Sequence, residues 1–542
     1  MSELQAAARS AAPSYKEMCD AFEWRVPQTF NFGADVVDHW ARENDGLALI
    51  WQNAAGDERR FRYSELAAFS NRLANVLRAA GVGKGDRVVV MLPRLPEWFA
   101  AIIATLKIGA VPIPCIEMLT ARDIAYRVDN SEAKAAICRG EHAAKFDAVL
   151  DRLPVRLALG GAPGWRDMAA EMDAAADTIE AARVAAEDPA IMYYTSGSTG
   201  HPKAVVHAAR ATYAWRYSAV YWLDLKPGET IWCTADTGWS KAGTSIIFGP
   251  LSCGATSFFY DGPFEPKERL RLLEKHGVTV YCAPGTELSQ VVNEVSGPIG
   301  RVRRVVSAGE AMNPAIAGRW ERATGVRVDE AYGQTEALMV SLNYPGEEVR
   351  YGSMGRPAPG LDLDVIDAEG RRLPAGQEGD LALRAPSPQL MLGYWKEPER
   401  TAACYFDGVD GRWFLTSDRA EKDADGYLWY RGRSDDVINS AGYRIGPLEV
   451  ENAVLEHPAV QSCAVVGSPD VERGEIVKAF IVLHKGVAQT PTLAREIQDH
   501  VKAVTAPYKY PRAVEFVEAL PMTVTGKIRR RDLRDREYAA KA

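Results

Sequence analysis

The sequence predicts an α/β protein: a large N-terminal domain of doubly wound sheets with a β subdomain, followed by a small α+β domain. Short apolar runs are each followed by Gly, Ser or Pro and then by a longer helical pattern, which is typical of buried parallel strands. After Asp364 the pattern changes to shorter strand-like pieces around glycines. At 542 residues the chain is too long for one core, so we expect several structural units.

The first predicted unit is a βαβ element. Gly85–Leu92 reads as a strand, Glu97–Lys107 as a helix and Val111–Cys115 as a second strand. Three more buried parallel strands are predicted, and an Ala-rich stretch at 169–186 reads as helical. The three strands are Ala190–Tyr194, Val278–Ala283 and Arg304–Ser307.

The pieces Gly379–Arg384 and Gly426–Tyr430 predict an antiparallel subdomain. A polar, hinge-like stretch, Arg431–Asp436, follows it, so we place the domain boundary between residues 433 and 434. Residues 1–433 form the predicted N-terminal domain, and residues 434–542 the C-terminal one. The C-terminal domain has its own predicted elements, which are the helix Pro447–Glu456 and the strands Cys463–Val466 and Ala479–Leu483.

Composition excludes several classes of protein. The formal net charge is −8 with a pI near 5.7, which disfavours binding to nucleic acid. Eight cysteines without a CxxC pair argue against a disulfide framework or a zinc site. The most apolar stretch, Trp98–Ile116, is interrupted by Lys107, Pro112 and Pro114, and the first thirty residues hold no secretory signal. We therefore expect a cytoplasmic protein with no stable membrane insertion.

The segment Thr195-Ser-Gly-Ser-Thr-Gly-His-Pro-Lys203 follows a strand-like run and precedes a helical pattern that begins at about Val205. Small residues allow backbone N–H groups and hydroxyls to approach an anion, and Lys203 adds a compact positive charge. The sequence therefore predicts a phosphate-binding loop. The GxxxxGK[ST] spacing of P-loop NTPases is absent.

The loop resembles the signature of the adenylate-forming superfamily, which includes the acyl-CoA synthetases. Tyr332-Gly-Gln-Thr-Glu336 resembles its second motif. Two further stretches match in the required order: Thr416-Ser-Asp418 through Gly442-Tyr-Arg444, and Pro521-Met-Thr-Val-Thr-Gly-Lys527. The opening Tyr15-Lys-Glu-Met and Phe30-Asn-Phe-Gly are similar to the medium-chain acyl-CoA synthetases. The resemblance covers essentially the whole chain.

The resemblance implies a reaction in which ATP activates a carboxylic acid as its adenylate and coenzyme A then takes the acyl group. It implies ATP, Mg²⁺ and coenzyme A as cofactors. In the first step Thr335 would contact the α-phosphate and Glu336 would hold Mg²⁺. The residues that would bind the other phosphates are Thr195, Ser196, Gly197, Ser198, Thr199, Gly200 and Lys203.

The resemblance also implies the nucleoside contacts. Asp418 would accept the ribose hydroxyls, and Arg433 would lie near the ribose and phosphate. The adenine would be bounded by two segments, which are Gly309, Glu310 and Ala311 on one side and Tyr332, Gly333 and Gln334 on the other.

A mobile C-terminal domain is implied as well. It would rotate about Asp435 between the two half-reactions, bringing Lys527 to the phosphate in the first. Ala441 and Gly442 would leave room for coenzyme A in the second, with Arg444 contacting a phosphate or stabilising one orientation. A rigid linker is the alternative. In related enzymes acetylation silences this lysine, so a lysine acetyltransferase and a deacetylase acting on Lys527 are candidate partners. A homo-oligomer is a further candidate assembly, although the sequence carries no sign of the oligomeric state.

Three residues bear on the acid. Acetyl-CoA synthetases have tryptophan where this chain has Gly333, so a deeper acyl pocket is expected. Trp239 matches an aromatic pocket wall or is plain core. Lys241 either meets the pocket or extends outward. A medium-chain, branched or aromatic acid all stay open, and loading of a carrier protein or a catalytically silent nucleotide-binding homologue are the alternative functions.

Overall fold

A computed structural model describes residues 13–195, 202–433, 436, 438–440, 443–470, 473–505, 508–522 and 528–541. These residues divide into two compact units. The first extends to Asp362 and includes Arg384–Tyr405, and the second contains Leu363–Leu383 and the chain from Phe406 onward. The boundary between residues 433 and 434 stays a prediction.

The largest sheet of the first unit has nine strands, of which the six central ones are parallel. The outer strands are antiparallel to their neighbours. The central strands are short and buried on both faces, as the apolar runs predict. From edge to edge the strands are Arg356–Pro357, Leu338–Leu342, Val328–Gln334, Arg304–Ala308, Val280–Cys282, Thr230–Cys233, Thr256–Asp261, Leu47–Asn53 and Glu58–Arg62.

A second, five-stranded parallel sheet confirms the predicted βαβ element. Arg87–Met91 and Val111–Pro114 pair in parallel, and the helix Pro96–Lys107 connects them. Helices and parallel sheets alternate along the chain, so the predicted α/β class is confirmed. The strands in order are Val111–Pro114, Arg87–Met91, Ala135–Arg139, Val155–Leu159 and Arg166–Asp167.

A three-stranded sheet corrects two expectations around the predicted phosphate loop. Pro189–Thr195 is a strand, but it pairs antiparallel with Lys203–Ala208, so the expected parallel strand is wrong. A helix from about Val205 is also wrong, because that residue lies in Lys203–Ala208, and the helix begins at Ala209. The strand is buried and pairs on its other side with Gly393–Tyr394, which favours the extended conformation over the helix.

The second unit contains two five-stranded sheets. The first confirms the predicted antiparallel subdomain and is built from Leu363–Ile366, Glu378–Arg384, Gly411–Lys422, Tyr405–Gly408 and Leu428–Arg433. The second belongs to the C-terminal region and mixes antiparallel and parallel pairs. Its strands are Tyr443–Ile445, Ile438–Ser440, Gly474–Leu483, Val460–Asp470 and Ala513–Phe516.

The helical segments include short π-helical stretches at Gly33–Asp38 and Gly243–Ile247 and a 3₁₀ stretch at Gly140–Arg152. The α-helices are Tyr15–Ala21, His39–Glu43, Tyr63–Ala79, Pro96–Lys107, Ala121–Ser131, Met168–Asp173, Ala209–Ala214, Arg216–Tyr221, Ser240–Ala242, Phe248–Ser252, Pro266–Lys275, Gly285–Val291, Pro314–Thr324, Pro398–Ala402, Pro447–Leu455, Pro491–Val504 and Arg530–Lys541.

The Ala-rich stretch at 169–186 is helical only as far as Asp173, so that expectation is largely wrong. Asn71 and Asn75, on the helix Tyr63–Ala79, donate side-chain hydrogen bonds to the carbonyl groups of residues 176–178. These bonds satisfy carbonyls that a helix would otherwise use. Within the described ranges no helix is long and apolar enough to cross a membrane.

Candidate active site

Several predicted site residues of the first unit lie at one edge of the nine-stranded sheet. The strands Thr230–Cys233, Arg304–Ala308 and Val328–Gln334 run parallel, so their carboxyl ends lie on the same side. Ala308 is aligned with Ala331, which places the segment after Ala308 beside the end of the neighbouring strand. The structure thus brings together the two segments predicted to line the adenine, which are Gly309–Ala311 and Tyr332–Gln334.

Thr335 and Glu336 lie in a three-residue hairpin loop between the paired residues Gln334 and Leu338. Leu338 has φ of 58°, in the left-handed region that non-glycine residues seldom adopt. Such strain is often found at functional sites, and here it closes a tight turn that projects Thr335 and Glu336 beyond the strand end.

His207 holds the backbone of this hairpin loop. Its Nε2 lies 2.6 Å from the carbonyl oxygen of Thr335, which can only accept, so Nε2 carries the ring N–H hydrogen and donates the hydrogen bond. Burial lowers the pKa of His207 to about 4, which keeps the imidazole neutral at physiological pH. The hydroxyl groups of Ser240 and Thr335 are 3.1 Å apart. Thr335 is therefore fixed through both its backbone and its side chain.

Tyr394 links Glu336 with Lys203. The Tyr394 hydroxyl donates to Oε1 of Glu336 at 2.8 Å, and Nζ of Lys203 lies 5.0 Å from the centre of the Tyr394 ring. The backbone N–H of Met391 donates to the Glu336 carbonyl at 2.9 Å. The metal-binding and phosphate-binding candidates are thus neighbours across one aromatic ring.

The donor set fits both a magnesium ion and a phosphate chain. No residue that the structure describes donates to Oε2 of Glu336, which leaves a carboxylate oxygen of the kind that Mg²⁺ prefers. The Lys203 ammonium likewise has no carboxylate partner within the described part of the chain. A cation without an internal counter-ion suits an anionic ligand.

Two carboxylates make hydrogen bonds that fix the backbone at and just after the segment predicted to line the adenine. Glu310 accepts a hydrogen bond from the backbone N–H of Thr286 at 2.8 Å, at the start of the helix Gly285–Val291. Buried Glu330 accepts from the N–H groups of Met312, at 2.8 Å, and Gly352, at 3.2 Å. Burial raises the pKa of Glu330 to about 7.

Gly309 and Gly333 favour glycine for different structural reasons, the first for its backbone conformation and the second for a close contact. Gly309 has φ of 95°, and a Cβ there would meet no atom within 4 Å, which leaves open space over the backbone. At Gly333 a Cβ would lie 2.1 Å from the carbonyl oxygen of Leu338, in the neighbouring strand. Main chain therefore fills the space beside Gly333, and its role in the acyl pocket stays a prediction.

Lys241 points inward. Its Nζ donates to the carbonyl oxygen of Ala308 at 2.7 Å, so the expectation that it might extend outward is wrong. Trp239 is partly buried against an apolar cluster that includes Ile116 and Met192. Its indole N–H is buried and has no acceptor among the residues that the structure describes. The Lys241 ammonium lies at the sheet edge that carries Gly309, and the pocket roles of both side chains stay predictions.

In the second unit, Asp418 and Arg433 are aligned on paired antiparallel strands. Their closest charged atoms are 3.7 Å apart, and the Tyr430 hydroxyl lies 3.5 Å from the same Asp418 oxygen. Ser417, just before Asp418, has φ of 61°. The structure thus brings the two predicted ribose-side residues together.

Several predicted site residues lie outside the described residues. They are Ser196, Gly197, Ser198, Thr199, Gly200, Asp435, Ala441, Gly442 and Lys527. Arg444 is described only as part of the strand Tyr443–Ile445.

Comparison with known families decides the identity. The model of the AMP-binding enzyme family matches residues 37–395, which is most of the chain. The chain belongs to this family. The model of the AMP-binding enzyme C-terminal domain matches residues 449–527.

Relatives place this AMP-binding enzyme among the acyl-CoA synthetases. The mitochondrial acyl-coenzyme A synthetase ACSM3 of Mus musculus is 40% identical over 555 aligned residues, covering 98% of this chain and 95% of the relative. Among solved structures, an anthranilate CoA ligase in complex with anthranoyl-AMP has a TM-score of 0.85 at 28% identity, covering 95% and 99% of the two chains. A benzoate CoA ligase from Burkholderia xenovorans LB400 has a TM-score of 0.82 at 29% identity, covering 93% and 100%. The predicted acyl-CoA synthetase family is confirmed.

Four residues of this acyl-CoA synthetase site were missed from the sequence, and they are His207, Ser240, Glu330 and Tyr394. His207 and Tyr394 are 128 and 58 positions from their partners Thr335 and Glu336. No local spacing signals such pairs. The one available sign was Gly-Tyr-Trp at 393–395, a glycine beside two aromatic residues that reads as a short strand.

Proposed function

We propose that this acyl-CoA synthetase activates a medium-chain, branched or aromatic carboxylic acid. ATP and the acid form an acyl-adenylate and pyrophosphate, and coenzyme A then forms the thioester and releases AMP. The observation that carries the proposal is the meeting of Lys203, Thr335 and Glu336 around one strained hairpin loop and one tyrosine ring.

A carboxylate resists nucleophilic attack because its charge is delocalised and its leaving group would be oxide. Joining the acid to AMP supplies a better leaving group, but it requires two anions to approach each other. Lys203 supplies fixed positive charge on the phosphate side, and Thr335 is held where it can orient an α-phosphate. Bound Mg²⁺, held through Glu336, adds positive charge beside the phosphates.

The remaining proposed roles belong to residues of the second unit. Asp418, near Arg433, accepts the ribose hydroxyls. Lys527 brings the carboxylate and the α-phosphate together in the first step. Rotation about Asp435 then presents Ala441, Gly442 and Arg444 to coenzyme A in the second.

The acid binds, in this proposal, beside Trp239 and Lys241. Each buried methylene contributes about 0.8 kcal/mol, so an apolar slot favours longer or aromatic acids over acetate. Two solved neighbours are named for anthranilate and benzoate, which supports an aromatic acid as one candidate. The inward Lys241 ammonium places a polar group at this end of the site.

A panel of acetate, butyrate, hexanoate, octanoate, isobutyrate and benzoate tests this function. Purified protein is incubated with each acid, ATP, Mg²⁺ and coenzyme A, and AMP and thioester are quantified together. We expect equal amounts of both products with at least one longer or aromatic acid, and little with acetate. Absence of AMP with every acid would contradict the proposal.

Lys527→Ala tests the division of labour between the half-reactions. We expect adenylation to fall by roughly 100-fold or more, as when one aimed donor to a developing charge is lost. Conversion of supplied acyl-adenylate to thioester should stay near the wild-type rate. Equal loss of both steps would show that Lys527 does not act in the first step alone.

Acetylation of Lys527 is the proposed regulation, because it would remove the charge that the first step needs. Mass spectrometry of the native protein, with activity measured before and after deacetylase treatment, tests it. The cytoplasmic location and a homo-oligomer stay predictions.

A further inference from the structure

The Arg400 guanidinium lies 5.9 Å from the centre of the Tyr394 ring, and Tyr394 makes two further contacts, with Glu336 and Lys203. Its hydroxyl donates to Oε1 of Glu336 at 2.8 Å, and its ring lies under the Lys203 ammonium, 5.0 Å from Nζ. The side chain is 7% exposed, so solvent competes weakly for either contact.

The backbone around Tyr394 is fixed at several points. Tyr394 pairs with Val205 in the strand that begins at Lys203, and its N–H donates to the Thr401 hydroxyl at 2.9 Å. The Met391 N–H bonds the Glu336 carbonyl. The backbone that carries the phenol is therefore fixed by hydrogen bonds, which limits the positions that the phenol can take relative to Glu336.

The phenol can act only as a donor in this contact. The phenol O–H is the donor at 2.8 Å, because a carboxylate oxygen accepts hydrogen bonds. One Glu336 oxygen is thereby occupied, and within the described chain Oε2 has no donor.

We propose that Tyr394 is a positioning residue that orients the Glu336 carboxylate so that Oε2 is presented to the metal ion. The same ring holds the Lys203 ammonium beside it, so that one residue sets the spacing between the metal side and the phosphate side. The inference deepens the proposed function and rests on Glu336 holding the metal.

The test is Tyr394→Phe, which keeps the ring over Lys203 and removes only the hydroxyl. Binding of Mn²⁺ to the protein with α,β-methylene-ATP, followed by electron paramagnetic resonance, gives a readout that needs no catalysis. We expect the Mn²⁺ dissociation constant to rise about tenfold, in the range seen when an outer-shell partner of a metal ligand is lost. The Mg²⁺ concentration for half-maximal adenylation should rise in parallel.

The thioester half-reaction from supplied acyl-adenylate should stay within about twofold of wild type, because it does not use the metal–phosphate contact. Glu336→Gln should weaken Mn²⁺ binding too. Adding Tyr394→Phe to Glu336→Gln should lower the Mn²⁺ affinity little further, because Tyr394 acts on the metal only through Glu336. Unchanged Mn²⁺ affinity in Tyr394→Phe, or additive losses in the double variant, would overturn the inference.

Tyr351→Phe is the matched control. It removes a phenol–glutamate hydrogen bond of 2.7 Å, to Glu321, elsewhere in the same unit. Its Mn²⁺ affinity should equal wild type, and a loss equal to that of Tyr394→Phe would overturn the assignment to Glu336. Because the binding assay contains no acid, a failed acid panel would contradict the proposed function without altering this comparison.

Discussion

At the residue scale, the carboxylate of Glu330 connects two segments of the chain by hydrogen bonds. Its carboxylate accepts from the N–H groups of Met312 and Gly352, which follow different strands of the sheet. Burial raises its pKa to about 7, above the ordinary value of 4.5. The folded protein therefore binds this proton more tightly than the unfolded chain does.

This shift predicts a pH-dependent stability. The contribution of the proton is complete below pH 4.5 and is lost as the pH rises through about 7. Each pKa unit is worth about 1.4 kcal/mol, so the wild type should lose about 3 kcal/mol of unfolding free energy relative to Glu330→Gln between pH 4.5 and pH 8. Denaturant unfolding of both proteins across this range is the measurement. Parallel curves would show that Glu330 does not titrate in the folded protein.

The sequence predicted those site residues that are neighbours within one short sequence motif. Thr335 and Glu336 share one motif, and Lys203 closes another, so their chemistry could be read locally. Tyr394 and His207 could not be found in this way, because only the fold brings them to partners far along the chain. The direction of Lys241 depends on a carbonyl of another strand and was equally hidden.

At the scale of elements, the sequence predicted buried strands better than it predicted their partners. An apolar run such as Ala190–Tyr194 reads the same in a parallel or an antiparallel sheet. The strand Lys203–Ala208 was mistaken for a helix because its pairing with Pro189–Thr195 and Gly393–Tyr394 is a tertiary effect.

The close approach of two strands at Gly333 gives a prediction at this scale. Gly333→Ala would place a Cβ 2.1 Å from the Leu338 carbonyl oxygen, so the hairpin that carries Thr335 must shift. We expect a loss of about 1–3 kcal/mol in stability and a fall in adenylation, because reacting groups tolerate little displacement. Gly297→Ala, where a Cβ meets no atom within 4 Å, is the control. Equal thermal midpoints and rates for both variants would refute the steric argument.

At the scale of the whole molecule, separate apolar cores lie on the two sides of the predicted boundary. One core of the C-terminal region contains buried residues from Ile438 to Val501, with partly buried partners as far as Phe516. A smaller cluster beside it extends to Leu533. Trp413 and its neighbours form another cluster, before residue 433. Among the described residues, each of these three clusters lies wholly on one side of the boundary.

Residues 434–542 should therefore fold when produced alone. Within the described part of the chain, their two clusters contain no side chain from before residue 434, and separate cores are what allow a segment to act as a domain. Thermal unfolding followed by circular dichroism, together with amide dispersion in a nuclear magnetic resonance spectrum, is the measurement. A fragment without a cooperative transition would place the boundary elsewhere, with the sheet of Gly411–Lys422 included in the folding unit.

The hydrogen bond from Lys241 to the Ala308 carbonyl has a consequence for evolution and for engineering. Lys241 is proposed to border the acid, and the residue after Ala308 is proposed to border the nucleotide. A substitution of Lys241 that changes the specificity for the acid also removes the hydrogen bond to the Ala308 carbonyl, which precedes Gly309. We therefore expect a library screened for a new acid at this position to return variants whose KM for ATP is changed as well.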